Sequence, residues 1–337
     1  MTPPRLVLSH TAPRSDWLAA RRCGITATKI AAVAGVHPWL SALEVYDDMI
    51  GVAVDVEENT AMRAGTFLEP FICREWAADT GRAIARSGLY AHPDRAWQMA
   101  TPDRLVLKPG RTSWFGRWVN VDSLLEAKTA LGWGALAWSD EVPTHVQMQV
   151  QWQLAVTGLD RAWVVALAGP QIKPFAVERD DELIADLTDI GEAFLLDHVA
   201  RKVPPTPDGT ERTARYLARR TPAVAGATTV LDPEQWADLY ETYWGAHRQA
   251  AEHEQDKAAA ANRMRLLLGS AEEGYLPGET KPAVTFRESR PVRFDAKAFA
   301  ADHPDLYAAY RRPASEPQRT LSPRKPPRTS SRKEQAA

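Results

Sequence analysis

Between residues 117 and 168 the chain reads as strand, helix, strand, and this succession limits the fold more than any other feature. Trp118-Val-Asn-Val-Asp-Ser-Leu-Leu is rich in residues that suit a buried strand. The segment Thr144 to Thr157 follows Pro143, is closed by Gly158, and has the composition of a helix. Arg161-Ala-Trp-Val-Val-Ala-Leu-Ala is an apolar run of the length of a buried strand. With a strand-like segment at 96–107 ahead of them, these elements imply an α/β core with a central mixed β-sheet flanked by helices.

The flanking helices have readable ends. One short helix is expected from Thr26 to Gly35, and a second after the capping pattern Ser41-Ala-Leu-Glu44, stopping at Gly51. A longer one is expected over 60–80 with Gly81 as its stop, and another from Asp180 to about Ala200. The Pro-rich link from Val203 to Gly209 is the best boundary, giving a core over 1–203. Beyond it, 204–310 reads as a C-terminal extension, with a helical hairpin or one broken long helix over 232–270 and then short strands with a small helix. Residues 311–337 mix Pro, Ser, Arg and Lys without periodicity, as a disordered basic tail does.

The formal charge of −2 leaves no global field for nucleic acid, so any such affinity must come from local patches. The 12 tryptophans are expected mainly in the core, although Trp114 and Trp118 lie near a Gly- and Arg-containing turn where stacking on bases is an alternative. Two cysteines, Cys23 and Cys73, form neither a zinc nor an iron–sulfur pattern, so a reducing cytoplasm is the expected location. The N-terminus has no signal-peptide pattern, and no segment has the length and apolarity of a membrane span.

Chemistry concentrates in Thr101-Pro-Asp103 and Leu125-Glu126-Ala127-Lys128. On a strand, Glu126 and Lys128 share one face and Ala127 turns into the core. Two carboxylates and a lysine suggest metal-dependent phosphodiester cleavage. Carboxylate oxygens suit Mg²⁺ or Mn²⁺, and the ammonium can orient hydroxide or stabilise charge on phosphorus. An ordinary ion pair between Glu126 and Lys128 is the plainer alternative. Glu279-Thr-Lys281 repeats the spacing, but Pro277-Gly278 and Pro282 exclude it from a central strand.

Three further groups are candidates. Glu69, in Gly65-Thr66-Phe-Leu-Glu69, is either a capping-box residue or a third acid serving a second cation. Gln147, Gln149, Gln151 and Gln153 alternate on one helix, pairing 147 with 151 and 149 with 153 on separate faces. One of these faces can hold a water or a phosphate oxygen, or the amides are simply solvated. Arg21, Arg22, Thr26 and Thr28 surround a helix start after Gly24 and would make a phosphate cradle; capping threonines and surface arginines are the alternative.

Taken in order, Trp17 to Thr28, Gly65 to Pro70, Thr101 to Asp103, Leu125 to Thr129 and Gln149-Val-Gln151 resemble the YqaJ-like viral recombinase family, which includes the phage lambda exonuclease within the PD-(D/E)xK superfamily. The resemblance covers about residues 15–200. It implies a restriction-endonuclease-like core and a Mg²⁺-dependent 5′→3′ exonuclease on linear double-stranded DNA, with Mn²⁺ as a substitute, leaving 3′ tails for a single-strand annealing protein. It further implies Asp103 and Glu126 as metal ligands assisted by the Ala127 carbonyl, Lys128 as the catalytic lysine, Glu69 at a second metal and Gln149 at substrate or water. In those terms Gln147 and Gln151 are weaker candidates for the glutamine role. Arg21, Thr26 and Thr28 would hold the 5′-phosphate, and a homotrimeric ring around DNA, in the host cytoplasm for a phage-encoded chain, is a family expectation. Asp122 is a fallback ligand on the alternating face of Glu126, and Arg104 stands where glycine is common. Rival expectations are a RecB- or Cas4-like nuclease and a DNA-binding protein that keeps the fold without the reaction.

Overall fold

The computed structural model describes residues 2–54, 58–114, 116–130, 132–138, 140–311 and 321–326. Most of the basic tail at 311–337 therefore lies outside the described residues. The chain divides into two compact units, Met1–Pro222 and Ala223–Ala337.

The first unit opens with β1 (Arg5–Leu8), α1 (Arg14–Arg22), α2 (Ala27–Val33), α3 (Ala42–Met49) and α4 (Thr60–Thr80). Strands β2 (Ile84–Arg86), β3 (Leu89–Ala91), β4 (Met99–Ala100), β5 (Arg104–Leu107) and β6 (Val121–Ala130) follow, then α5 (Thr144–Thr157), β7 (Arg161–Ala168), β8 (Gln171–Glu178), α6 (Asp181–Phe194) and α7 (Glu211–Arg220). The expected ends are real ones. Ser41 Oγ accepts from the Glu44 amide at 3.2 Å, and the left-handed Gly81 and Gly158 (φ 65° and 71°) close α4 and α5. Three short helices, not two, fill the first fifty residues, because α1 precedes the pair expected from the caps.

A five-stranded sheet in the order β2-β5-β6-β7-β8 forms the centre. β6 runs antiparallel to β5 and parallel to β7, with α5 making the crossover that parallel strands require. This is the mixed sheet expected of a restriction-endonuclease-like core. Leu124, Val164 and Ala166 pack with Val146, Val150 and Leu154 of α5 on one face. Leu125 and Val165 pack with Ile72, Cys73 and Trp76 of α4 on the other. A smaller antiparallel sheet, β1-β3-β4, lies beside it.

Trp114 and Trp118 pack edge to face with centroids 6.0 Å apart, and Trp118 meets Tyr90 at 5.0 Å, so both serve the core rather than a hairpin surface. α7, past the proline link expected to end the core, also belongs to this unit. The buried Asp47 of α3 takes the Tyr216 hydroxyl at 2.6 Å and the Arg220 guanidinium, so the compact unit runs to Pro222 rather than 203.

In the second unit, α8 (Pro233–Leu268) is one uninterrupted helix of 36 residues, where a hairpin or break was expected. No proline follows its first turn, and Gly245 alone does not break it. β9 (Glu273–Gly274) pairs with β10 (Val284–Thr285), and α9 (Ala296–Asp302) and α10 (Pro304–Tyr310) complete the unit.

Candidate active site

The parallel β6–β7 pairing buries the middle of β6, and the acids enter there. Arg104 pairs with Leu125 across β5–β6, so Asp103, one residue earlier, lies beside Glu126. Asp103 Oδ2 accepts from the Ala127 amide at 2.7 Å, which fixes its carboxylate against the strand. Burial raises the Asp103 pKa well above the usual carboxylate range, and the negative charges of Glu126 and Glu69 add to the effect; Lys128 and the Ala127 amide oppose it.

Glu126 is only 3% exposed, yet both its oxygens are satisfied. Oε1 takes Lys128 Nζ at 2.6 Å and Gln149 Nε2 at 2.5 Å, and Oε2 takes Gln153 Nε2 at 2.8 Å. Gln149 Oε1 in turn accepts from Lys128 at 3.0 Å, closing a ring of three side chains. Burial presses the Lys128 ammonium down, but the charges of Glu126 and Asp103 and the bond to Glu126 outweigh it and hold its pKa above the ordinary lysine value. Lys128 is therefore a cationic donor at neutral pH, not a base.

Gln149 and Gln153 lie four residues apart on the α5 face that meets β6. Gln153, fully buried, was not singled out by motif; its signal was the spacing from Gln149. Gln147 and Gln151 do other work. Gln147 donates to the Val142 carbonyl, and Gln151 joins the Glu178 carbonyl to the Asp180 amide, so neither reaches the acids.

Glu69 stands inside α4, whose N-cap is Asn59, so a capping box with Thr66 is excluded; the Thr66 hydroxyl instead donates back to the Met62 carbonyl. Arg104 Nη1 bridges Glu69 Oε1 at 2.8 Å and the Asp103 carbonyl at 2.5 Å. The arginine in a usual glycine position thus clamps the third acid beside the first.

Asp122 is not on the face of Glu126. The pairing moves from Val106↔Ser123 to Leu107↔Val121, so Asp122 is the extra residue of a β-bulge and the alternation inverts there. Its carboxylate pairs with Arg82 at 2.7 Å, and that guanidinium lies 5.8 Å from the centroid of Trp163, on the α4 side of the sheet. Asp122 is therefore a structural ion-pair partner of Arg82 and not a substitute ligand beside Glu126.

The other candidate group sits where α1 gives way to α2. Gly24 passes so close to the turn before β4 that a Cβ would lie 2.4 Å from the Trp97 carbonyl oxygen. That approach lets Ile25 bond Trp97 and Met99 through its backbone, and Trp152 of α5 donates to the Ile25 and Met99 carbonyls at 3.1 Å each. The link to α2 is thereby tied to the helix that carries Gln149. Thr26 caps α2 by position only: its hydroxyl, buried with the residue 3% exposed, has no hydrogen-bond partner. Thr28 is half-buried in the first turn. Arg21 lines a cavity of about 320 Å³ with Arg14 and Trp17, and burial lowers its pKa against the opposing charge of Asp48. Arg22 instead pairs with Asp48 at 3.2 Å. Lys29, missed in the sequence, is buried and bonds the Arg21 carbonyl at 2.8 Å and Asp48 at 2.8 Å, stapling α1 to α2 and α3.

Among the described residues, no three His, Cys, Asp or Glu side chains form a group that holds a metal ion by themselves. The donor set nevertheless fits a hard divalent cation. Asp103 and Glu126 offer carboxylates on neighbouring strands, and the charges of Glu126 and Glu69, which add to the effect of burial on Asp103, make a negative potential that such a cation would offset; Mg²⁺ is commonly held by one or two carboxylates completed by water and phosphate. Cys73, buried with its thiol pushed up to about 12, and the exposed Cys23 are separate from this set.

A mixed sheet that brings two buried acids and a lysine together offers the groups that phosphodiester hydrolysis uses. Residues 16–160 match the model of the YqaJ-like viral recombinase domain. The YqaJ protein of Bacillus subtilis is 25% identical over 303 residues, spanning 87% of this chain and 89% of its own. Among solved structures, LHK-Exo in complex with dAMP is 25% identical, with a TM-score of 0.47, covering 61% of this chain and 97% of its own. The alkaline exonuclease LHK-Exo from Laribacter hongkongensis is 26% identical with a TM-score of 0.46, covering 61% of this chain and all of its own.

Proposed function

We propose that this chain is a Mg²⁺-dependent 5′→3′ exonuclease acting on linear duplex DNA and leaving 3′ single strands for an annealing protein. The observation that carries this reading is the ring of Glu126, Lys128 and Gln149 beside Asp103, whose carboxylate the Ala127 amide fixes against the strand. Asp103 and Glu126, with the Ala127 carbonyl, would hold the cation, and Glu69 in the grip of Arg104 would support a second. A bound cation supplies an acidified water and offsets phosphate charge.

The chain's own groups do the rest. Gln153 keeps one Glu126 oxygen fixed, and Gln149 positions the Lys128 ammonium. Lys128, protonated, donates to the attacking oxygen or to a phosphate oxygen as negative charge builds on phosphorus. Thr26, with a free hydroxyl, Thr28 and Arg21 would take the 5′-phosphate of the digested strand. A trimeric ring and Mn²⁺ substitution belong to the same reading.

End-labelled, 5′-phosphorylated linear duplex with Mg²⁺ tests it. Nucleotides should leave from the 5′ end, stop with EDTA, and stop with Lys128→Ala. Undiminished release from Lys128→Ala, or none from the wild type, rejects the assignment.

A further inference from the structure

Near the lysine stands a cluster of three rings that the cleavage chemistry does not use. His145 lies four residues before Gln149 on α5, hence on the same face one turn away. Its ring centroid is 5.8 Å from that of His37 and 6.1 Å from that of Trp39, and His37 and Trp39 are 5.9 Å apart. All three pairs are edge-on, with interplanar angles of 74°, 88° and 75° in that order. Trp39 remains 70% exposed.

The segment bearing Trp39 is pinned from several sides. The Val36 and His37 amides both donate to the Ala31 carbonyl at 3.0 Å. His37 Nδ1 accepts from the Leu40 amide at 3.0 Å and the Trp39 amide at 3.3 Å. From α7, Arg212 reaches the Gly35 carbonyl at 2.8 Å and the His37 carbonyl. An indole left in water forgoes the stabilisation of burial. Held in place, it loses little freedom when a flat partner lands on it.

The chemistry of that partner follows from charge. Burial lowers the pKa of both histidines, and the nearby Lys128 charge lowers it further; His37 falls to about 4. Both rings are neutral at neutral pH, so the cluster offers π faces and edges rather than an anion site. A nucleobase is the component of DNA that fits such a surface.

We propose that Trp39, braced by His37 and His145, is a stacking platform for an unpaired base of the strand whose terminal phosphodiester lies at Glu126 and Lys128. This rests on the nuclease reading above and adds a base-recognition element to it. Stacking on the platform would hold the end nucleotide out of the duplex and set its phosphodiester against the lysine.

The test uses the full chain in EDTA, so that nothing is cleaved, and a duplex with two unpaired 5′ nucleotides whose terminal base is 2-aminopurine. Wild type should quench the probe. Trp39→Ala should bind roughly 5- to 150-fold more weakly and quench less, and Trp39→Phe should recover part of both. Replacing the terminal nucleotide with an abasic one should erase the difference between wild type and Trp39→Ala. Equal binding and quenching by wild type and Trp39→Ala, or a difference that survives the abasic end, overturns the platform. The two readings fail separately: a wild type that digests DNA but is indifferent to Trp39→Ala loses the platform alone, whereas a wild type that neither binds nor cleaves loses both.

Discussion

Replacing Gln153 by methionine should leave stability nearly unchanged while impairing cleavage. Gln153 is fully buried and uses only half of its amide: Nε2 donates to Glu126 Oε2 at 2.8 Å, while Oε1 has no hydrogen-bond partner. Methionine is similar in volume and removes both halves. Losing a donor to a carboxylate costs about 1.5–3 kcal/mol, and relieving an unpaired buried carbonyl returns about 1–3 kcal/mol. The two terms largely offset, leaving a net change of at most about 2 kcal/mol, so the melting temperature should move by no more than about 8 °C.

Activity has no such compensation. Glu126 would keep Lys128 and Gln149 on Oε1 but lose the only side-chain bond on Oε2, and its carboxylate could rotate away from Asp103. If the lost 1.5–3 kcal/mol is carried into the transition state, the rate falls by about 10- to 150-fold. Thermal denaturation followed by single-turnover digestion of a labelled duplex separates the effects. Cleavage within twofold of wild type by a stably folded Gln153→Met would refute the idea that this amide orients Glu126.

Asp103 retains its proton at pH values where a free aspartate has lost it, because burial and two neighbouring acids raise its pKa. A cation must displace that proton, so Mg²⁺ affinity should climb with pH between the ordinary carboxylate value and the raised one, then level off; calorimetry in buffers of different ionisation enthalpy should record proton release, and its absence would sink the link. Gly24→Ala forces a methyl to within 2.4 Å of the Trp97 carbonyl oxygen, and should lower stability by about 1–3 kcal/mol in a denaturant titration; an unchanged midpoint would show that the turn yields freely. Asp122→Asn should leave the cleavage rate within about twofold, since its partner is Arg82 across the sheet; a loss as deep as that of Glu126→Gln would restore Asp122 as a ligand.

Local signals told most where the chain itself enforces them. α5 runs from Thr144 to Thr157 and α4 from Thr60 to Thr80 because a proline or a capping asparagine starts each and a left-handed glycine ends it. Glu126 and Lys128 share a face because a strand alternates, and the i, i+4 spacing of Gln149 and Gln153 puts both amides on them. Long-range placement was less legible. Nothing near Tyr216 announces that its hydroxyl ends on Asp47, 169 residues earlier, so the proline link at 203–209 looked like the edge of a core that continues to Pro222. The length of α8 was open for a related reason: its composition permits both one helix and two, and only tertiary context selects.

The bulge at Asp122 shows why strand parity is weaker evidence the farther it is carried. Counting by twos from Glu126 gives Asp122 the same face, and the count is correct for Leu124 but not beyond it. One inserted residue reverses the rest of the strand, returning Val121 to the apolar face and turning a carboxylate toward Arg82. The consequence is electrostatic as well as geometric. The charges felt by Lys128 are those of Glu126, Asp103 and Glu69, while Asp122, farther along the strand, is met by Arg82. The bulge thus gives Asp122 an ion-pair partner of its own, and one lysine with a divalent cation is left to balance the three acids that do act on Lys128.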